Sequence, residues 1–118
     1  MHDIIIIGAG PHSKVIYEEL VNINNYNIIG FCNPFINTSN KIEDFCKKNK
    51  LKFYNSNSLK NLLKTEVLFV LGLGNNYERE KIYKKCININ KNIRWTKVIS
   101  KNTTISKSVK IGNGTVIL

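Results

Sequence analysis

A chain of 118 residues, 42% hydrophobic and 22% charged, has room for one compact domain and a short extension. Its apolar run at 4–7 is too short for a signal-peptide core or a membrane span, and His2 and Asp3 stand where a leader wants basic residues. The chain therefore reads as cytoplasmic and not inserted in a membrane. The formal charge of +10 comes from lysines scattered along the chain, with Arg79 and Arg94, and no aromatic-basic cluster accompanies them, which argues against a nucleic-acid partner.

Residues 3–7, a β-branched run apolar on both faces, predict a buried parallel strand. Gly8-Ala9-Gly10 makes a tight turn, and Pro11 suits the first turn of a helix, where its missing N–H costs nothing. Val15, Ile16 and Leu20 recur at helical spacing to about residue 22, and 26–32 reads as a second strand closed by Asn33-Pro34. A helix over 41–49, a short strand at 52–54 and a helix over 58–64 capped by Asn57 or Ser58 come next. Residues 67–71 predict another buried strand ending in Gly72-Leu73-Gly74. Asn75 or Asn76 then caps a helix over 77–87 with Ile82, Tyr83 and Cys86 inward, and 93–99 is a last strand. The alternation predicts an α/β fold, a small Rossmann-like parallel sheet with flanking helices.

Cys32, Cys46 and Cys86 are odd in number and in no CxxC pairing, and with two histidines there is no metal-ligand spacing, so no metal site is expected. Cys86, within an apolar helical stripe, is expected to be a buried thiol. The tail changes period. Ile99, Ile105, Ile111 and Ile117 are spaced by six, the mark of hexapeptide repeats, so the first turn of a parallel β-helix is expected, left-handed as the resemblance given below implies. The division is 1–97 for the Rossmann-like domain and 98–118 for the start of the β-helix. Four isoleucines are too few to hold this tail alone, so further coils or neighbouring subunits must complete it. An edge hairpin with coincidental spacing is the competing reading.

Gly8-Ala9-Gly10-Pro11-His12-Ser13 is a strand-to-helix turn of pattern GxGxxS. Gly8 permits the turn, Gly10 lets a ligand approach the backbone, and the free amides at the helix start favour a phosphate. A nicotinamide dinucleotide would want an acid at the end of the second strand. Here Cys32-Asn33-Pro34 stands there, and Ser13 replaces the third glycine. His12 is either a donor to a phosphate or sugar hydroxyl or a solvent-facing residue. Gly72-Leu73-Gly74-Asn75-Asn76 closes another strand on the same carboxyl edge, where such folds bind ligands.

GAGPHSKVI after the first strand, GFCNP closing the second, LGLGNNYEREKIY, and RWTKVIS leading into hexapeptides together resemble one family along the whole chain. It is that of the sialic-acid O-acetyltransferases (NeuD) and PglD-type sugar N-acetyltransferases. The resemblance implies that the N-terminal domain binds a nucleotide sugar and that a β-helix forms homotrimers with acetyl-CoA between neighbouring helices. A β-helix histidine then serves as general base. Gly8 opens the loop, and Gly10, Pro11 and His12 match its contacts with the nucleotide sugar. Asn33 and Pro34 align with a usually acidic pair near the base or ribose, and Gly74 and Asn75 match the start of a third binding loop. The departures are Pro11 for a common glycine, Asn33-Pro34 without carboxylates, and Ser100 after Val98-Ile99 where the family often has His-Pro. No residue here matches the catalytic histidine, so the chain alone is expected to bind and not to acetylate. A stand-alone nucleotide- or NAD-binding module without catalysis remains the alternative.

Overall fold

The computed structural model describes residues 1–36 and 41–96 and, as backbone, 98–99 and 116–117. Four parallel strands follow the apolar runs: β1 (His2–Ile7), β2 (Tyr26–Cys32), β3 (Lys52–Tyr54) and β4 (Leu68–Leu71). A two-residue β5 (Arg94–Trp95) completes a sheet of order β3-β2-β1-β4-β5. The crossover helices are α1 (Pro11–Ile23), α2 (Lys41–Lys48), α3 (Leu59–Leu62) and α4 (Asn76–Ile89).

The two-residue period of the strands divides the core into two slabs. Ile4, Ile6, Phe31 and Val70 pack against Ile16 and Leu20 of α1 and Ile42 and Cys46 of α2. On the opposite face, Ile5, Ile7, Cys32, Phe69 and Leu71 meet Leu59 and Leu63 and then Ile82 and Cys86 of α4. That is why the β1 run is isoleucine on both faces: every one of its four isoleucines is buried, each contributing about 1.5–3 kcal/mol. Ile4 pairs with Ile28 but Ile5 pairs with Gly30, so Ile29 is an extra residue on β2. This bulge shifts the phase of the strand. Phe31 is thereby turned toward α1 and α2, where it meets Tyr17 and Phe45, and Cys32 toward α4.

Three expectations need correction. The helix over 58–64 is a 3-10 turn at Ser56–Ser58 followed by the single turn of α3, and neither Asn57 nor Ser58 caps it through a side chain. Residues 93–99 do not make one strand. The sheet ends at Trp95, β5 pairing only with Leu68 and Phe69 of β4. Thr96 then bonds the Phe69 carbonyl through its N–H (3.0 Å), and its hydroxyl lies 3.0 Å from that of Tyr26. Tyr83, expected inward, is 40% exposed, its ring tilted against Trp95. Beyond this point β6 (Val98–Ile99) pairs in parallel with β7 (Val116–Ile117), Ile99 beside Ile117. Ile105 and Ile111, like Ser100, lie outside the described residues. Among those described, no helix is long and apolar enough to cross a membrane.

Candidate functional site

The loops leaving β1, β2 and β4 converge at the carboxyl edge around a cleft of about 790 Å³. Its floor and one wall come from the β1–α1 turn, Ala9, Gly10, Pro11 and His12, and from Lys14 one turn into α1. Asn33 and Phe35 come from the β2 loop, Lys41 and Ile42 from the start of α2. Gly72, Leu73, Gly74 and Glu78 come from the β4 loop and the first turn of α4. Strand order reverses between β1 and β4, which is where open parallel sheets take their ligands.

The β1–α1 turn is held from behind. The Gly8 N–H bonds the Cys32 carbonyl and the Gly72 N–H bonds that of Ile7, both at 2.8 Å. Gly8 sits at φ +154, and a Cβ there would lie 2.5 Å from the Gly72 carbonyl oxygen, so only glycine fits. Ser13 is fully buried at the position where dinucleotide-binding turns carry a third glycine. A Cβ on Gly72 would meet the Ser13 Cβ at 3.1 Å, so the space Ser13 needs is supplied by the missing side chain of Gly72. The Ser13 hydroxyl donates back to the Gly10 carbonyl.

Gly10 is the N-cap of α1 at φ −100, with no side chain capping the helix and no acid in its first turn. Nothing lies within 4 Å of where its Cβ would be. The positive end of the helix thus faces open cleft, flanked by Lys14 and Lys41. Lys14 Nζ lies 5.2 Å from the Phe45 ring centroid, which holds its stem along the α1–α2 seam. His12 is half-buried, and a Cβ on Gly74 would stand 3.4 Å from the His12 Cβ, so Gly74 leaves the imidazole its place at the rim.

Of the residues expected at a site, Gly10, Pro11, His12, Asn33 and Gly74 border this cleft together. Gly8 lies behind the turn, Pro34 is buried, and neither forms part of the lining. Asn75 caps α4, its Oδ1 accepting from the Glu78 N–H at 3.0 Å. Asn33 is buried, and its Oδ1 accepts the Phe35 N–H at 3.0 Å. It therefore pins the β2 loop and presents no charge to a ribose. Sequence reasoning missed Lys14, Phe35, Lys41 and Glu78. Lys14, four residues beyond Gly10 on α1, carried a helical-spacing signal, whereas Lys41 and Glu78 reach the cleft only through the crossovers. All three cysteines are buried away from it. Burial pushes the Cys32 thiol up to about 12, with Cys86 adding to the rise, and those of Cys46 and Cys86 up to about 11.

With this loop arrangement in place, comparison with known proteins decides the kinship. The PglD N-terminal domain model matches residues 3–86, which takes in β1 through most of α4. The chain belongs to the PglD N-terminal domain family. Solved structures share the fold. One is a mutant of perosamine N-acetyltransferase from Caulobacter crescentus in complex with CoA and GDP-perosamine. It superposes with a TM-score of 0.70 at 20% identity, over 100% of this chain and 52% of that one. Another is the acetyltransferase domain of PglB from Neisseria gonorrhoeae in complex with acetyl coenzyme A. Its TM-score is also 0.70, at 24% identity, over 98% of this PglD-type chain and 52% of the other. The chain spans about half the length of these structures. No curated protein matches it.

Proposed function

We propose that this PglD-type domain binds the nucleotide sugar of an acetyl-CoA-dependent sugar O- or N-acetyltransferase. The observation that carries the reading is the uncapped, acid-free start of α1 opening into a cleft bordered by Gly10, His12, Lys14 and Gly74. A diphosphate suits that place, since backbone N–H groups and the helix dipole offer partial positive charge and two lysines add to it. A solved structure holding GDP-perosamine and CoA supports the sugar-nucleotide class, and one holding acetyl coenzyme A supports the acetyl donor.

In this reading the domain ends near residue 97, and 98–118 begins a left-handed β-helix. Ile99 and Ile117 pair in parallel 18 residues apart, three hexapeptides, as one coil of a three-sided prism requires. The β-helix would supply the acetyl-CoA site, the homotrimer contacts and the histidine that takes a proton from the acceptor sugar. All of these lie outside the described residues. What the domain's own residues do is hold and orient the acceptor. The sugar is an amino sugar or a sialic acid, and the enzyme works in the cytoplasm, where nucleotide sugars are kept. The NAD-module alternative is disfavoured because β2 is followed by buried, internally bonded Asn33 in place of a ribose-binding carboxylate.

Isothermal calorimetry of the chain against UDP-sugars, GDP-sugars, CMP-sialic acid and NAD tests this. Heat with a nucleotide sugar at sub-millimolar concentration is expected. Silence with every nucleotide sugar at millimolar concentration, or a preference for NAD, overturns it.

A further inference from the structure

Lysines scattered along the sequence are brought together by the fold at one place. In a parallel sheet with helical crossovers every strand starts, and every helix ends, at the amino edge, opposite the cleft. Lys47 and Lys48 close α2, Lys50 follows it, Lys64 follows α3, Lys91 follows α4, and Arg94 opens β5. All six are exposed. The carboxylates among these strand starts and helix ends are Asp3 and Glu66, and Asp3 already accepts a 2.8 Å hydrogen bond from the Asn27 carboxamide. Among the described residues none of the six cations pairs with a carboxylate; the ion pair there is Lys84 with Glu80.

Lys47 and Lys48 also offset the negative end of α2. Lys50, Lys64, Lys91 and Arg94 stand outside the helices, so helix ends do not account for the whole set. The five strands spread these charges over a front about 20 Å wide, a diffuse positive face with no pocket that would select a small anion.

We propose that this amino edge docks the domain on an anionic lipid surface. Five of the six cations are lysines, whose ammonium point charges suit a mobile headgroup layer. Arg94 commits its Nη1 to the Glu66 carbonyl at 3.1 Å. Val21, near the end of α1, and Met1, ahead of β1, are exposed apolar side chains at the same edge and suit the headgroup level. The exposed aromatic rings among the described residues, Tyr77 and Tyr83, lie before the last turn of α4, so none stands among these lysines to stack on a base. β1, six residues long, separates the two edges by about 20 Å. A docked domain therefore keeps its cleft open to solution.

The test is co-sedimentation of the full chain with vesicles of phosphatidylcholine containing one-third phosphatidylserine, beside vesicles of phosphatidylcholine alone. The chain should bind the first and not the second, and raising salt from about 0.1 M to about 0.5 M should release it. Each lysine near such a surface strengthens binding about fivefold. Lys47→Gln/Lys48→Gln/Lys50→Gln should therefore bind about 100-fold more weakly, and Lys64→Gln/Lys91→Gln about 30-fold. The second variant keeps the test valid if the first fails to fold. Lys81→Gln/Lys84→Gln/Lys85→Gln removes as much charge from the middle of α4 and should stay within about threefold of the parent. No binding to the serine-lipid vesicles, or equal binding to both kinds, overturns the proposal. Equal losses in the α4 variant and the amino-edge variants also overturn it, since net charge alone would then be at work. Tighter binding to duplex DNA than to the serine-lipid vesicles at the same salt overturns the choice of a lipid partner.

Discussion

Replacing Gly10 by alanine separates binding from folding at the point where the functional reading is most exposed. Gly10 sits at φ −100, ψ −173, ordinary extended backbone, and a Cβ there meets nothing within 4 Å. Alanine is a poorer N-cap than glycine, at a cost of about 0.5–1 kcal/mol. Restricting the unfolded chain returns about 0.4–1 kcal/mol. The two nearly cancel, and the melting temperature of Gly10→Ala should stay within about 2 °C of the parent. The methyl group, however, projects into the cleft in front of the α1 amides. Loss of one hydrogen bond to a charged phosphate costs about 1.5–3 kcal/mol, a weakening of about 10- to 100-fold. Gly8→Ala is the internal contrast: positive φ and a 2.5 Å approach to backbone should cost about 3 kcal/mol or more, a fall of about 10 °C or more. Differential scanning fluorimetry and calorimetry on the two variants read both quantities. If Gly10→Ala binds a nucleotide sugar as tightly as the parent, the diphosphate does not rest on this turn.

Asn75→Ala removes the side-chain cap of α4 and should cost about 1 kcal/mol, seen as a fall of about 4 °C in thermal unfolding. The cysteines predict a pH dependence. Burial holds the thiols of Cys46 and Cys86 at about 11 and that of Cys32 at about 12, against 9.0 unfolded. Above pH 9 the unfolded chain loses these protons first and the native state binds more of them, so stability falls as pH rises from about 9 through 11. The three thiols contribute no slope below about pH 8, and urea titrations across pH 7–11 measure it. At pH 8 a thiol reagent should label the native protein far more slowly than the urea-unfolded chain.

The sheet was largely legible because its strands are buried on both faces and read as uninterrupted apolar runs. β2 and β3 fall on their expected residues, and β1 and β4 within one. What failed depended on long-range contacts. Nothing local in Ile-Arg-Trp-Thr-Lys-Val-Ile marks the break after Trp95. It follows from Thr96 meeting the Phe69 carbonyl and the hydroxyl of Tyr26, 70 residues away. The bulge at Ile29 was equally silent, being set by pairing with β1. At the cleft, the glycine turn could be read because its residue types answer a local backbone demand. Lys41, Phe35 and Glu78 could not, since ordinary residue types acquire a role there only from where the crossovers deposit them. Ser13 illustrates the intermediate case. As a missing third glycine it counted against a nicotinamide dinucleotide, and Gly72 in the loop after β4 makes the room it needs.

The most direct measurement is a ¹⁵N amide map of the chain titrated with its best-binding nucleotide sugar. The largest shifts should fall on Ala9, Gly10, His12 and Ser13, with Leu73 and Gly74 following. Shifts confined to the opposite edge, around His2, Glu66 and Arg94, with the α1 start unmoved, would contradict a phosphate held at that helix.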